Sequence, residues 1–136
     1  MAGSTTSTSI VPEGGLAYGI QLPIQTLTRT LREPWEEDAT VADLVRVAQA
    51  AEAAGCGFVG VCDHVAFPEN DYTRHMTPTW DVGANRLTGS AEQIAESLRF
   101  AREVGCTVLH VRFRSRTRDE LCDQIAAFGR DVGPLL

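Results

Sequence analysis

The stretch TVADLVRVAQAAEAAGCGFVGVC, residues 40–62, and the stretch SAEQIAESLRFAREVGCTVLHVRF, residues 90–113, follow one pattern. Each opens on a hydroxyl residue suited to capping a helix, Thr40 with Asp43 and Ser90 with Gln93, three residues apart as in a capping box. Apolar residues then recur at helical spacing: Leu44, Val47, Ala48, Ala51 and Ala54 in the first unit, and Ile94, Leu98, Ala101 and Val104 in the second. Gly55 and Gly105 end the helices, because glycine adopts the left-handed conformation at little cost. A short apolar strand follows each, Phe58 to Cys62 and Thr107 to Phe113. Gly55-Cys56 and Gly105-Cys106 lie 50 positions apart, and that offset matches Leu44 to Ile94, Ala51 to Ala101, Val59 to Leu109 and Val61 to Val111. Two helix–Gly–Cys–strand units imply parallel strands joined by helical crossovers, an α/β fold.

Working outward, Leu16 to Ile24 (LAYGIQLPI) alternates as a first strand, with Tyr18, Ile20 and Leu22 on one face and Ala17, Gly19 and Gln21 on the other. Gln25 to Ala39, which contains Pro34 and Trp35, reads as a loop of the kind that covers a site. A third helix begins at Thr117, capped with Glu120 in register, and carries Leu121, Ile125, Phe128 and Val132 on one stripe. Val65 to Gly89 has no convincing period, and such a long structureless connection inside a compact domain is either a lid or the scar of a deletion. Residues 1–15, rich in Ser, Thr and Gly, read as a disordered arm ahead of a single domain at 16–136.

The chain has 136 residues, 43% apolar and 22% charged, with a net charge of -6. That acidic balance argues against nucleic acid or an anionic membrane as the main partner. The N-terminal stretch lacks the basic and apolar regions of a signal peptide, so a cytoplasmic protein is expected. Cysteines 56, 62, 106 and 122 form no C-x-x-C pair and read as reduced, mostly buried thiols. His110 reads as a pocket or core histidine, since no carboxylate or second His stands at ligand spacing from it, and no metal is expected.

The strand phases place bulky residues on the helix-facing parity. The other parity collects Gly19 and Gln21, then Gly60, Cys62 and His64, then His110, Arg112 and Arg114. Small and polar residues thus gather toward the carboxyl ends of three parallel strands, where α/β folds bind ligands. Arg112 and Arg114 share a face and suit a phosphate or carboxylate; the competing reading is a solvated strand end balanced by Asp119 and Glu120. Trp35 and Trp80 suit either stacking on a ring or covering exposed core, and the second reading is preferred.

GIQLPI at 19–24, GCGFVGVCDHV at 55–65 and TGSAEQIAESLRFAREVGCTVLHVRF at 88–113, with the final amphipathic helix, together resemble the luciferase-like monooxygenase family. The Asp63-His64-Val65 step is similar to its branch dependent on coenzyme F-420, a deazaflavin. The resemblance implies a (β/α)8 TIM barrel. Residues 16–80 are similar to its start and 88–136 to its end, and the middle is missing. The expectation is a partial, TIM-barrel-like fragment of about three parallel strands, ordered β8-β1-β2 in the barrel's own numbering, with flanking helices. The implied function is an oxidoreductase moving hydride between a reduced deazaflavin, or FMN, and a small organic substrate, impaired by the internal deletion. His64 is then the proton donor or acceptor and Asp63 its orienting partner, both as catalytic residues, while Gln21, His64, Arg112 and Arg114 bind the coenzyme. The alternative is a noncatalytic, self-associating barrel fragment, since three parallel strands leave two open edges, and a homo-oligomer is expected on that ground.

Overall fold

The computed structural model describes residues 11, 15–23, 32–61 and 87–136. Three strands, β1 (Ala17–Gln21), β2 (Phe58–Gly60) and β3 (Val108–Val111), form one parallel sheet in the order β2-β1-β3. Three helices follow the sequence pattern: α1 (Val41–Ala53), α2 (Ala91–Glu103) and α3 (Arg118–Ala127). The last continues through a π turn, Phe128–Val132, and a 3-10 turn, Gly133–Leu135.

The predicted caps are all at the helix starts. Asp43 and Thr40 form the reciprocal box on α1, Ser90 and Gln93 that on α2, and the Thr117 hydroxyl accepts from the Glu120 amide on α3. Gly55 and Gly105 follow the helix ends with φ of 78° and 96°, the left-handed geometry their positions demand. The strands are shorter than their apolar runs suggest. Val61 lies beyond β2, and Phe113 lies beyond β3. Pairing, unlike apolar character, requires a neighbour whose backbone runs alongside.

Register fixes the faces. Gly19 stands opposite Phe58 on one side and His110 on the other, and Ile20 opposite Val59 and Val111. Tyr18, Ile20, Leu22, Leu109, Val111 and Phe113 therefore share the helix-facing side. Ile20 packs with Val47 and Ala51 of α1 and with Leu121 and Ile125 of α3. Tyr18, Leu109 and Val111 pack against Ala95 and Leu98 of α2 and against Phe128 and Val132. Tyr18 and Phe113 meet the Phe128 ring edge to face, with centroids 5.2 and 5.6 Å away.

All three helices thus cover one face of the sheet. β2 and β3 flank β1, and α1, which precedes β2, and α2, which precedes β3, lie on the same face.

Several expectations are corrected. Gln25 to Ala39 is not wholly loop, because Pro34–Glu37 forms a 3-10 turn with proline at its start. Val104, expected on the buried stripe of α2, is 64% exposed, and Val59 and Val61 are 42% and 68% exposed. Periodicity assigns these side chains to a face, but exposure depends on whether another element lies over that face. The thiols are also less buried than expected: Cys106 is exposed and Cys56 and Cys122 are half-buried, all free. Most of the N-terminal arm, Asp63, His64, Trp80 and most of the 65–89 connection lie outside the described residues. Among the described residues no helix is long and apolar enough to cross a membrane.

Candidate functional site

The carboxyl ends of β1 and β3 meet the Pro34–Glu37 turn around a cavity of about 30 Å3, lined by Gln21, Glu33, Trp35, Glu36, Arg112 and Ser115 together with apolar neighbours. Each polar side chain arrives there for a local reason. Gln21 is the last residue of β1, on the parity opposite Ile20. Arg112 follows β3 directly, and alternation carries it to the same face as Gln21. Pro34 is preset for a helical start, and Glu36 then closes a box by accepting from the Glu33 amide at 3.0 Å. That box holds Glu33 beside the strand ends.

Glu33 and Glu36 are both buried, as is Ser115. The Trp35 indole N–H donates to the Ser115 hydroxyl at 3.1 Å, and its ring packs on the core around Ile20. This favours the core-covering role for Trp35. The Glu33 carboxylate faces Arg114, with Oε1 2.5 Å from Nε. The contact is an ion pair of poor alignment, for Oε1 is buried and accepts no hydrogen bond among the described residues. A buried carboxylate is stable only when its charge is compensated, and Arg114 does that. Gln124 fixes the backbone of the arginine by donating to its carbonyl at 2.8 Å.

Beside β3 runs a second, wider groove of about 720 Å3. Leu98 of α2, Leu109 and Phe128 supply apolar wall, and His110, Arg112 and Arg114 line its polar side. His110 is exposed, near Phe58 with ring centroids 6.1 Å apart. Among the described residues no group of three or more His, Cys, Asp or Glu gathers as a metal site.

Of the residues singled out from sequence, Gln21 and Arg112 line one cavity, and Arg114 joins them through Glu33. Asp63 and His64 lie outside the described residues. The arginines that follow Arg114 lie among acids, as at a solvated strand end: Arg116 pairs with Glu120, and Arg118 with Asp43 and Asp119. Glu33, Glu36 and Ser115 were missed. The available signal was Glu33-Pro34-Trp35-Glu36, a proline-led helical start with an acid at its third position.

The strand-end cavity accommodates a water or two, and the charge of Arg114 is already matched by Glu33. The described residues alone do not enclose a tricyclic ring. Comparison with family models, curated proteins and solved structures finds no match to this chain.

Proposed function

We propose that the chain is a shortened luciferase-like oxidoreductase: the first two strands and the last strand of a TIM barrel, keeping the strand ends that meet a reduced deazaflavin or FMN and a small organic substrate. The observation that carries this reading is a parallel sheet ordered β2-β1-β3 with all three described helices on one face. An open doubly wound sheet avoids that arrangement. A barrel wall that had lost the five strands between its second and its last produces it naturally, because the missing strands carried the chain round.

The register supports the same origin. Phe58 and His110 are level with Gly19, yet the 50-residue repeat pairs position 110 with position 60. Two steps across the sheet therefore accumulate a stagger of two residues. A barrel of eight strands and shear eight accumulates on average about one residue per strand.

In this reading Arg112 and Arg114 hold an anionic tail, Gln21 faces the ring edge, and His64 with Asp63 handles the proton. When bound, the coenzyme supplies the hydride chemistry. The chain's own part is to orient groups and exclude water, and the three described strands need walls from a further copy to do so. A second, noncatalytic reading, a self-associating barrel fragment, is favoured by one observation: Val59 and Val61 stand exposed at the β2 edge.

Titration of F-420 and of FMN, followed by fluorescence, tests the first reading on the wild-type chain and His64→Ala. Weak binding that His64→Ala weakens further is expected. Tight binding indifferent to His64→Ala would remove the site, and brisk turnover by a monomer would remove the need for added walls.

A further inference from the structure

We propose that the flank of α1 turned away from α3, together with β2, seats a second copy of this chain about a two-fold axis. The axis stands perpendicular to the sheet and runs between Leu44 and Val45. This rests on the self-associating reading, to which it adds a surface and a register.

Helical geometry separates three faces of α1. Val47 and Ala51 are fully buried and enter the core with Ile20, Leu121 and Ile125. A second face meets α3: Asp43 pairs with Arg118, Arg46 with Asp119, and Gly129 packs on Ala54. At about 100° per residue, Val41, Leu44, Val45 and Ala48 fall on the remaining flank. Val41 is 75% and Val45 51% exposed, with Leu44 and Ala48 half-buried beside them. A surface helix carries polar residues where it meets water, yet this strip holds no charge before Glu52. Its positions, i, i+3, i+4 and i+7, are those of a seam that packs on another helix.

The strip matches itself. About that axis an antiparallel copy brings Val41 against Ala48 and Leu44 against Val45, and the small Ala48 leaves room for the valine. The exposed side of α2 is a poorer match for an uncharged strip, because Phe100 and Val104 stand there among exposed Glu92, Glu96, Arg99 and Glu103. From Val41 to Ala48 the strip runs only about 10 Å, well short of the roughly 800 Å2 per partner that a stable dimer buries. β2 extends it, since Val59 and Val61 are exposed on the side of the sheet that α1 covers. An axis perpendicular to the sheet sets β2 antiparallel to its copy and keeps both α1 helices on one face. Helix flank and strand edge then close together, and a two-fold contact needs only this one patch on each chain.

Sedimentation equilibrium of Val45→Glu and Val45→Lys, each alone and mixed in equal amounts, tests the register. Either variant alone sets like charges across the axis and should raise the dissociation constant at least about tenfold. The mixture sets opposite charges there and should recover most of the lost affinity. Native mass spectrometry with one variant isotope-labelled should show the mixed dimer. Circular dichroism monitors folding, and if either Val45 variant fails to fold, Val41→Glu mixed with Ala48→Lys reads the same register. A mixture no tighter than its components, a Val45→Glu chain that associates like wild type, or growth beyond the dimer overturns the two-fold contact and leaves self-association standing. A wild-type chain that stays monomeric at high micromolar concentration removes the self-associating reading and this surface with it.

Discussion

Arg118, the first residue of α3, donates from its guanidinium to the carboxylate of Asp43 in the first turn of α1, tying two helix starts 75 positions apart. Asp43 also accepts from the amide and the hydroxyl of Thr40, each at 2.8 Å. Arg118 first, and Thr40 second, lower its pKa from 3.8 to about 2. Because the folded value lies below the unfolded one, the stabilisation is complete above the unfolded pKa and disappears as pH falls through the folded one. Asp43→Asn should therefore be less stable than wild type at neutral pH, with the gap closing between about pH 4 and pH 2. Urea denaturation across that range measures it, and a gap that stays constant with pH would refute the assignment.

Gly129 and Gly105 separate two reasons for needing glycine. A Cβ on Gly129 would stand 2.2 Å from the Ala54 carbonyl oxygen and 2.6 Å from the Ala54 Cβ, where the π turn crosses the end of α1. A Cβ on Gly105 would meet nothing within 4 Å, and only its φ of 96° opposes a side chain. Gly105→Ala should cost about 1 kcal/mol from backbone strain, whereas Gly129→Ala should cost about 2–3 kcal/mol because backbone must move. Chemical denaturation of both variants decides the order, and a larger loss at Gly105 would contradict the packing described.

Tyr18 links the sheet to two helix ends. Its hydroxyl donates to the Ala54 carbonyl at 2.8 Å, and its ring meets Phe128. Burial, the first cause, and the neighbouring Cys56 raise its pKa. Tyr18→Phe keeps the ring contact and leaves that carbonyl without its donor, so the expected loss is about 1 kcal/mol. No measurable change in the denaturation midpoint would mean that water replaces the hydroxyl without cost.

The residues that were legible in sequence are those whose role is local. Thr40, Ser90 and Thr117 cap because of what lies three positions on, and Gly55 and Gly105 stop helices because of their own backbone freedom. The parallel pairing followed from the repeat, and the shared face of Tyr18, Ile20, Leu109 and Val111 from strand alternation. Glu33 was not legible as a site residue, because its meaning comes from Arg114, which is 81 positions away. Nor was the exposure of Val59, Val61 and Val104: a hydrophobic period gives the direction of a side chain and says nothing of a missing neighbour.

That missing neighbour leads to the last prediction. Val59 points to the helix side with Ile20, yet it and Val61 remain exposed at the β2 edge, and Val108 is exposed on the other face of β3. Both flanking strands thus carry exposed apolar groups, and strand edges of that kind invite pairing with another chain. A second copy that covers them gains about 25 cal/mol for each Å2 of apolar surface removed from water. Val61→Lys replaces a short branched side chain with a charge at the edge, a device natural sheets use against pairing. The wild-type chain should associate in sedimentation at high micromolar concentration, and Val61→Lys should raise its dissociation constant at least about tenfold, since burying an unpaired charge costs more than that ratio. Lys substitution at exposed Arg102, on α2, serves as a control and should leave association unchanged. A wild-type chain that sediments as a compact monomer at that concentration would show that its edges are protected without a second copy.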